Sequence, residues 1–147
     1  MTGSERKAFA IKAEVADPKA QALTFTAQKT MYGGKAIAAG DVVFVFASEN
    51  QGGRGLIWRG LASAAEALPK QPGLARQTPR VSLIVRCAGR AQRPLGRAEL
   101  KPYAGAHDRP EGELHFKLYR QATNKIVGLS EAAATYLDSY FRPLPGS

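Results

Sequence analysis

Cysteine is almost missing from this chain. Cys87 stands alone, which excludes an intrachain disulfide framework and a thiolate-based zinc site. A lone thiol fits a reducing compartment, and a cytoplasmic setting is the expectation. Histidine is nearly as scarce, and His107 and His115 do not have metal-ligand spacing. No apolar run approaches the ~20 residues of a membrane-spanning helix. The opening MTGSERKAFAIKAEV lacks the apolar core of a secretion signal. No membrane partner is expected.

Enzymatic signatures are missing too. There is no Gly-x-Ser-x-Gly elbow. Gly33-Gly34-Lys35 lacks the first glycine and the closing Ser/Thr of a P-loop. Gly53-x-Gly55 is not followed by the third glycine of a dinucleotide fingerprint. Asp and Glu are scattered, with no pair that stands out as acid and base. No cofactor is expected, and a non-enzymatic role leads.

Acidic charge is in deficit, with 12 Asp and Glu against 21 Lys and Arg. The formal net charge is +9 and the pI about 10.0. The excess is concentrated in the second half. Arg76, Arg80, Arg86, Arg90, Arg93 and Arg97 follow one another with no acid between them. A pI above about 9 with clustered arginine is the electrostatic footprint of a phosphate-backbone binder. The remaining composition is ordinary: 147 residues, 44% hydrophobic and 22% charged, point to one globular domain spanning 1–147. Such a length needs no covalent staple. Residues 1–7 and 142–147 read as flexible ends.

The chain is organised around residues 40–61. Val42-Val43-Phe44-Val45-Phe46 is an unbroken apolar run, the pattern of a strand buried on both faces. Ser48-Glu49-Asn50-Gln51-Gly52-Gly53 forms a polar elbow in which glycine permits reversal. Leu56 through Leu61 returns as the second arm of a hairpin and continues as strand to about Ala64. Before it, Phe9–Val15 alternates like a half-buried strand, Asp17-Pro18 breaks it, and residues 22–30 form another extended piece. After it, 69–79 is a proline-rich loop and Val81–Cys87 a strand, with Cys87 on the apolar face. Pro94–Leu100 reads as a short helical turn and Ala104–Gly112 as a loop. Leu114–Arg120 alternates as a strand with His115 on its polar face, and Ile126-Val127 is briefly extended. Ser130 caps a closing helix whose apolar face is Ala133, Tyr136, Leu137 and Tyr140.

The chemistry-bearing candidates lie at the elbow. If the hairpin closes as read, Phe46, Ser48, Glu49, Asn50 and Trp58 come together. Aromatic rings stack bases, and short polar side chains read base edges. Lys35, Arg54, Arg59, Arg76, Arg80, Arg90, Arg93 and Arg97 are the candidates for holding phosphates.

The stretch Gly40–Ser48 followed by Gly55-Leu56-Ile57-Trp58-Arg59-Gly60 resembles the central hairpin of the PUA-like superfamily. The EVE branch is nearest, the ASCH branch a looser match. The strand at Val81–Val85, the Pro94–Leu100 turn and the passage from Leu118 into a terminal helix agree. The resemblance implies an α+β fold: a small mixed sheet or pseudo-barrel with short peripheral helices and a C-terminal helix. It also implies a concave pocket that accepts a nucleobase, often a modified one, with Phe46, Ser48, Asn50 and Trp58 as its residues. The leading expectation is therefore a nucleic-acid-binding module, for RNA or DNA. One alternative is a small amidohydrolase acting on modified nucleosides, for which Thr30, Lys35 and Glu49 have suitable residue types. Another is a protein-interaction subunit docking through the basic loop 69–80.

Overall fold

The computed structural model describes residues 7–69, 72–73, 77–121 and 123–141. Arg76 and part of the 69–80 loop lie outside the described residues. Six strands make a closed barrel: β1 (Ala8–Ala13), β2 (Ala22–Met31), β3 (Val42–Ala47), β4 (Gly55–Ala67), β5 (Arg80–Arg90) and β6 (Lys125–Gly128). Around the barrel the order is β1-β3-β4-β5-β2-β6. The β1–β3 and β2–β6 pairs are parallel and the others antiparallel. Among the described residues three short α-helices accompany the strands: α1 (Arg97–Leu100) and α2 (Pro110–Leu114) between β5 and β6, and α3 (Glu131–Asp138) after β6. This is the mixed α+β barrel that the sequence pattern predicts.

Two apolar layers explain the patterning. Inside the barrel lie Phe9, Ile11, Val43, Val45, Trp58, Leu83, Val85 and Ile126. Outside β1, β3 and β6, a second layer joins Phe44, Phe46, Leu100, Leu114, Leu118 and Leu137. β3 is sandwiched between these layers, so every residue from Val42 to Ala47 is buried. A strand covered on both faces reads as continuous apolar sequence. β5 has one face in water and alternates in burial as well as in sequence.

The central hairpin pairs Val43 with Gly60 and Val45 with Trp58. Gly55 leaves the elbow at φ 83° with its Cα against the Leu95 and Gly96 backbone. A side chain there would be both strained and obstructed. β4 runs on to Ala67, beyond the Ala64 limit expected from the sequence, because β5 pairs with it throughout.

Residues 114–120 differ from expectation. They are helical, α2 passing directly into a π-type turn over His115–Tyr119. Pro110 stands in the first turn with Glu111 and Glu113, a favourable helix start. Leu114 and Leu118, four apart and both fully buried, serve a helix face as well as they would serve a strand.

Candidate nucleic-acid interface

The strand directions gather two groups of ends. At one mouth β1, β3 and β5 finish while β2, β4 and β6 begin. The elbow sits here, so this is the elbow mouth. The far mouth holds the starts of β1 and β3 and the ends of β2 and β6.

At the elbow, the polar side chains are engaged with the protein itself. The Glu49 carboxylate accepts the backbone N–H of Arg97 at 3.1 and 3.3 Å, at the start of α1. The Asn50 Oδ1 accepts from the Arg97 guanidinium at 3.3 Å. Gln51 accepts from Asn124 at 2.9 Å. The elbow thus ties the β3–β4 connection to α1 and to the chain entering β6. Ser48 is buried and Asn50 exposed.

Phe46 and Trp58, expected to share a pocket wall, are separated. Phe46 belongs to the outer layer, its ring edge-on to Tyr119 at 6.4 Å. Trp58 belongs to the inner layer. Both are 0% exposed, so neither offers a free face for stacking in this conformation. The cause is the register: Trp58 sits opposite Val45, whose side chain points into the barrel. Its indole N–H donates to the Pro18 carbonyl at 3.0 Å, and Arg90 covers the ring at 5.6 Å.

The structure adds three groups that the sequence pattern did not single out. Lys12 and Lys125 are paired across β1 and β6 and are 1% and 2% exposed. Lys12 Nζ donates to the Leu118 and Gln121 carbonyls at 2.6 and 3.3 Å. Lys125 Nζ donates to Thr123 and Gln121 at 2.9 and 3.4 Å. One carbonyl thus serves two amines. Burial, then Lys12, lowers the Lys125 pKa to about 8. Burial also lowers that of Lys12, reinforced by Arg97 and opposed by Glu49. The Tyr119 ring lies 5.1 Å from Lys12 Nζ, and its hydroxyl has its pKa raised by burial and then by the Glu49 carboxylate. No hydrogen bond of ordinary geometry reaches it among the described residues. Lys12 alternates onto the polar side of its strand, so sequence reasoning assigns it to water. Helical residues cover that side instead.

The arginines divide sharply. Arg54, Arg90 and Arg93 line one cleft of about 420 Å³ at the elbow mouth, with no acidic residue in its wall among the described residues. Arg97 lies beside the elbow. Within the cleft, Arg90 is bound to the carbonyls of Pro18, Lys19 and Ala20, at 2.5, 3.1 and 3.2 Å. Arg93 donates to the Ser139 carbonyl at 3.1 Å and stacks on Tyr140 at 4.4 Å. Arg54 is exposed. Elsewhere, Arg59 forms an ion pair with Asp138 at 2.7 Å, and Arg80 donates to the Ala27 carbonyl at 2.7 Å. Arg80 and Lys35 lie toward the far mouth, away from the elbow set. Thr30 is buried against the Pro79 carbonyl near that same mouth, as is Lys35. Glu49 is at the opposite one, so the residue types of the amidohydrolase alternative are not assembled.

No protein-family model matches the chain, and no curated protein matches it by sequence. Solved structures do match it. Human THYN1, in complex with 5-methylcytosine-containing DNA, aligns with a TM-score of 0.64 at 19% identity, covering 95% of this chain and 99% of that one. The DUF55 domain of human thymocyte nuclear protein 1 aligns at 0.61 and 17%, covering 89% and 96%. A hypothetical protein from Leishmania major aligns at 0.59 and 14%, covering 92% and 94%. At these identities the likeness is one of fold, and the fold is PUA-like.

Proposed function

We propose that this protein is a nucleic-acid-binding module of EVE type that docks a phosphate backbone on its elbow mouth. The observation that carries the reading is the cleft lined by Arg54, Arg90 and Arg93, acid-free among the described residues, with Arg97 alongside. Phosphates neutralised there would release counterions and give salt-sensitive affinity. Exposed Asn50 and half-buried Glu49 stand at the rim, where a base turned out of its stack would meet them. Phe46 and Ser48 lie beneath as support. Trp58 serves the core. The methylated-DNA complex of a protein with the same fold makes a 5-methylcytosine duplex the first ligand to try. The lone half-buried thiol accords with a reducing, cytoplasmic setting.

The test is a salt titration against short single-stranded and duplex DNA and RNA, with and without 5-methylcytosine. Wild type is compared with Arg54→Glu and Arg97→Glu. Affinity should fall steeply with salt and fall further in both variants. Absence of binding at low salt would overturn the reading. Salt-sensitive binding indifferent to both substitutions would move the interface elsewhere.

A further inference from the structure

A second cleft stands at the far mouth. Its volume is about 630 Å³, and Lys7, Tyr32, Lys117, Ser130, Glu131 and Thr135 are in its wall. Tyr32 is its conspicuous member. Its φ is 53°, a left-handed conformation that costs an ordinary residue energy and is commonly kept where the surroundings enforce it. Here the Tyr32 carbonyl accepts the N–H of Gly128 at 3.1 Å, fixing the backbone to the end of β6. The effect is to hold a large ring 38% exposed at the cleft.

The ring does not stand alone. Phe116 lies 5.6 Å from it and His107 lies 6.0 Å from Phe116. Arg120 covers Phe116 at 4.6 Å, and Lys117 Nζ is 6.0 Å from the Tyr32 centroid. Lys117 is held there by Glu113 and by the Gly128 carbonyl, at 2.9 and 2.7 Å. Phe116, His107 and Arg120 buttress Tyr32 from behind, while Tyr32 and Lys117 themselves face the cleft; an aromatic ring edged by a cation suits a flat π system. The remaining wall supplies the Lys7 ammonium, the Glu131 carboxylate and the Thr135 hydroxyl, each able to meet a donor or acceptor on a ring edge. Unlike the elbow cleft, this wall also includes two carboxylates, Glu131 and Asp138, which oppose an anion. The volume lies within the ~300–1,000 Å³ of small-molecule sites.

From this we infer that the far-mouth cleft is a binding site for an unstacked nucleobase on its sugar, stacked on Tyr32 with its polar edge toward Glu131 and Thr135. The site is separate from the arginine-lined elbow mouth and does not depend on it. The ligand can be a free nucleoside or a nucleotide extruded from a strand.

The experiment is saturation-transfer NMR on the full chain with adenosine, guanosine, cytidine and 5-methylcytidine at millimolar concentration. Wild type, Tyr32→Gly, Tyr32→Leu, Glu131→Gln and Arg54→Ala are compared. Tyr32→Gly removes the ring and relaxes the backbone. Tyr32→Leu retains apolar bulk, should the glycine variant fold poorly. Base protons should be saturated by wild type and by Arg54→Ala. Affinity should drop about tenfold or more in either Tyr32 variant, with a smaller drop in Glu131→Gln. Absence of saturation, or nucleoside affinity unchanged by loss of the ring in a folded variant, would overturn the inference. A parallel arm uses a short single strand at high salt, where the arginine mouth is screened. A Tyr32-dependent loss there identifies the strand as a source. A loss confined to nucleosides identifies the free form.

Discussion

At the elbow mouth, arginines dominate and three of the four already hold protein acceptors; at the far mouth, charge is balanced and an aromatic ring is left partly bare. Arg90 holds three carbonyls of the β1–β2 connection, Arg93 holds the end of α3, and Arg97 holds the elbow. Tyr32 is held by its backbone, and its ring remains 38% exposed. Counting cations along the sequence therefore overstates what the elbow mouth offers a ligand. An arginine that already donates to protein carbonyls is part of the fold first, and a phosphate has to compete with those carbonyls for its N–H groups. Its remaining charge still contributes to the field at the surface.

The largest expected effect tests whether Trp58 belongs to that elbow surface or to the barrel interior. Trp58→Ala should cost about 3–5 kcal/mol of stability, since the ring is fully buried among Val43, Val45 and their neighbours. Urea unfolding measures this. A folded variant of near-native midpoint that has lost only ligand affinity would return Trp58 to the interface.

The next effect concerns the amines beneath the elbow mouth. Lys125 has a folded pKa of about 8 against 10.5 when unperturbed. Between these values the unfolded chain keeps the proton that the folded chain has released, so stability rises as pH climbs through that window. Below pH 8 both states hold it, and burial of the charge is a constant penalty. The rise is at most about 3 kcal/mol, at 1.36 kcal/mol per pH unit. Urea midpoints from pH 7 to 10.5 should show it in wild type and lose most of it in Lys125→Met. An unchanged pH dependence in the variant would assign the effect to other groups.

At the far mouth the expected effect is smaller. Tyr32→Gly and Tyr32→Ala both remove the ring, but only glycine adopts a positive φ without strain. The glycine variant should be the more stable of the two by about 1 kcal/mol, read from paired thermal or urea unfolding. Equal stabilities would mean that the left-handed backbone at Tyr32 stores nothing.

How far the sequence discloses these two mouths depends on which layer covers each residue. The hairpin is legible because β3 is covered on both faces and its apolar run has no gap. The α3 cap is equally local: Ser130 Oγ accepts from Ala133 N–H at 3.1 Å. The pairing of Trp58 with the elbow is not legible, since a bulge between Val45 and Phe46 sets the register and assigns the neighbouring side chains to different layers. Lys12 reads as solvent-facing because nothing adjacent to it in sequence announces the cover by Leu118 in the helical turn and Gln121 in the bend after it. Residues 114–120 satisfy two periods at once, and the signals favouring helix lie upstream at Pro110 and Glu111. Tyr32 gives still less warning. Its exposure depends on a backbone twist fixed by Gly128, distant in the chain but adjacent in the barrel.

The finest distinction between the mouths lies in single arginines. Arg54 is exposed, and no hydrogen bond holds its side chain among the described residues, while Arg90 is bound to three carbonyls. Arg54→Ala should therefore leave the unfolding midpoint within about 0.5 kcal/mol of wild type. If Arg54 contacts a phosphate, the same substitution should flatten the plot of log affinity against log salt by about one unit of slope. Arg90→Ala should do the reverse, lowering stability by releasing the carbonyls and uncovering Trp58, with the salt slope changed less. Measuring both quantities on both variants separates an arginine that meets a ligand from one that builds the wall behind it. If the two variants exchange behaviour, the carbonyl clasp at Arg90 opens on binding, and the guanidinium it frees is the one the backbone takes.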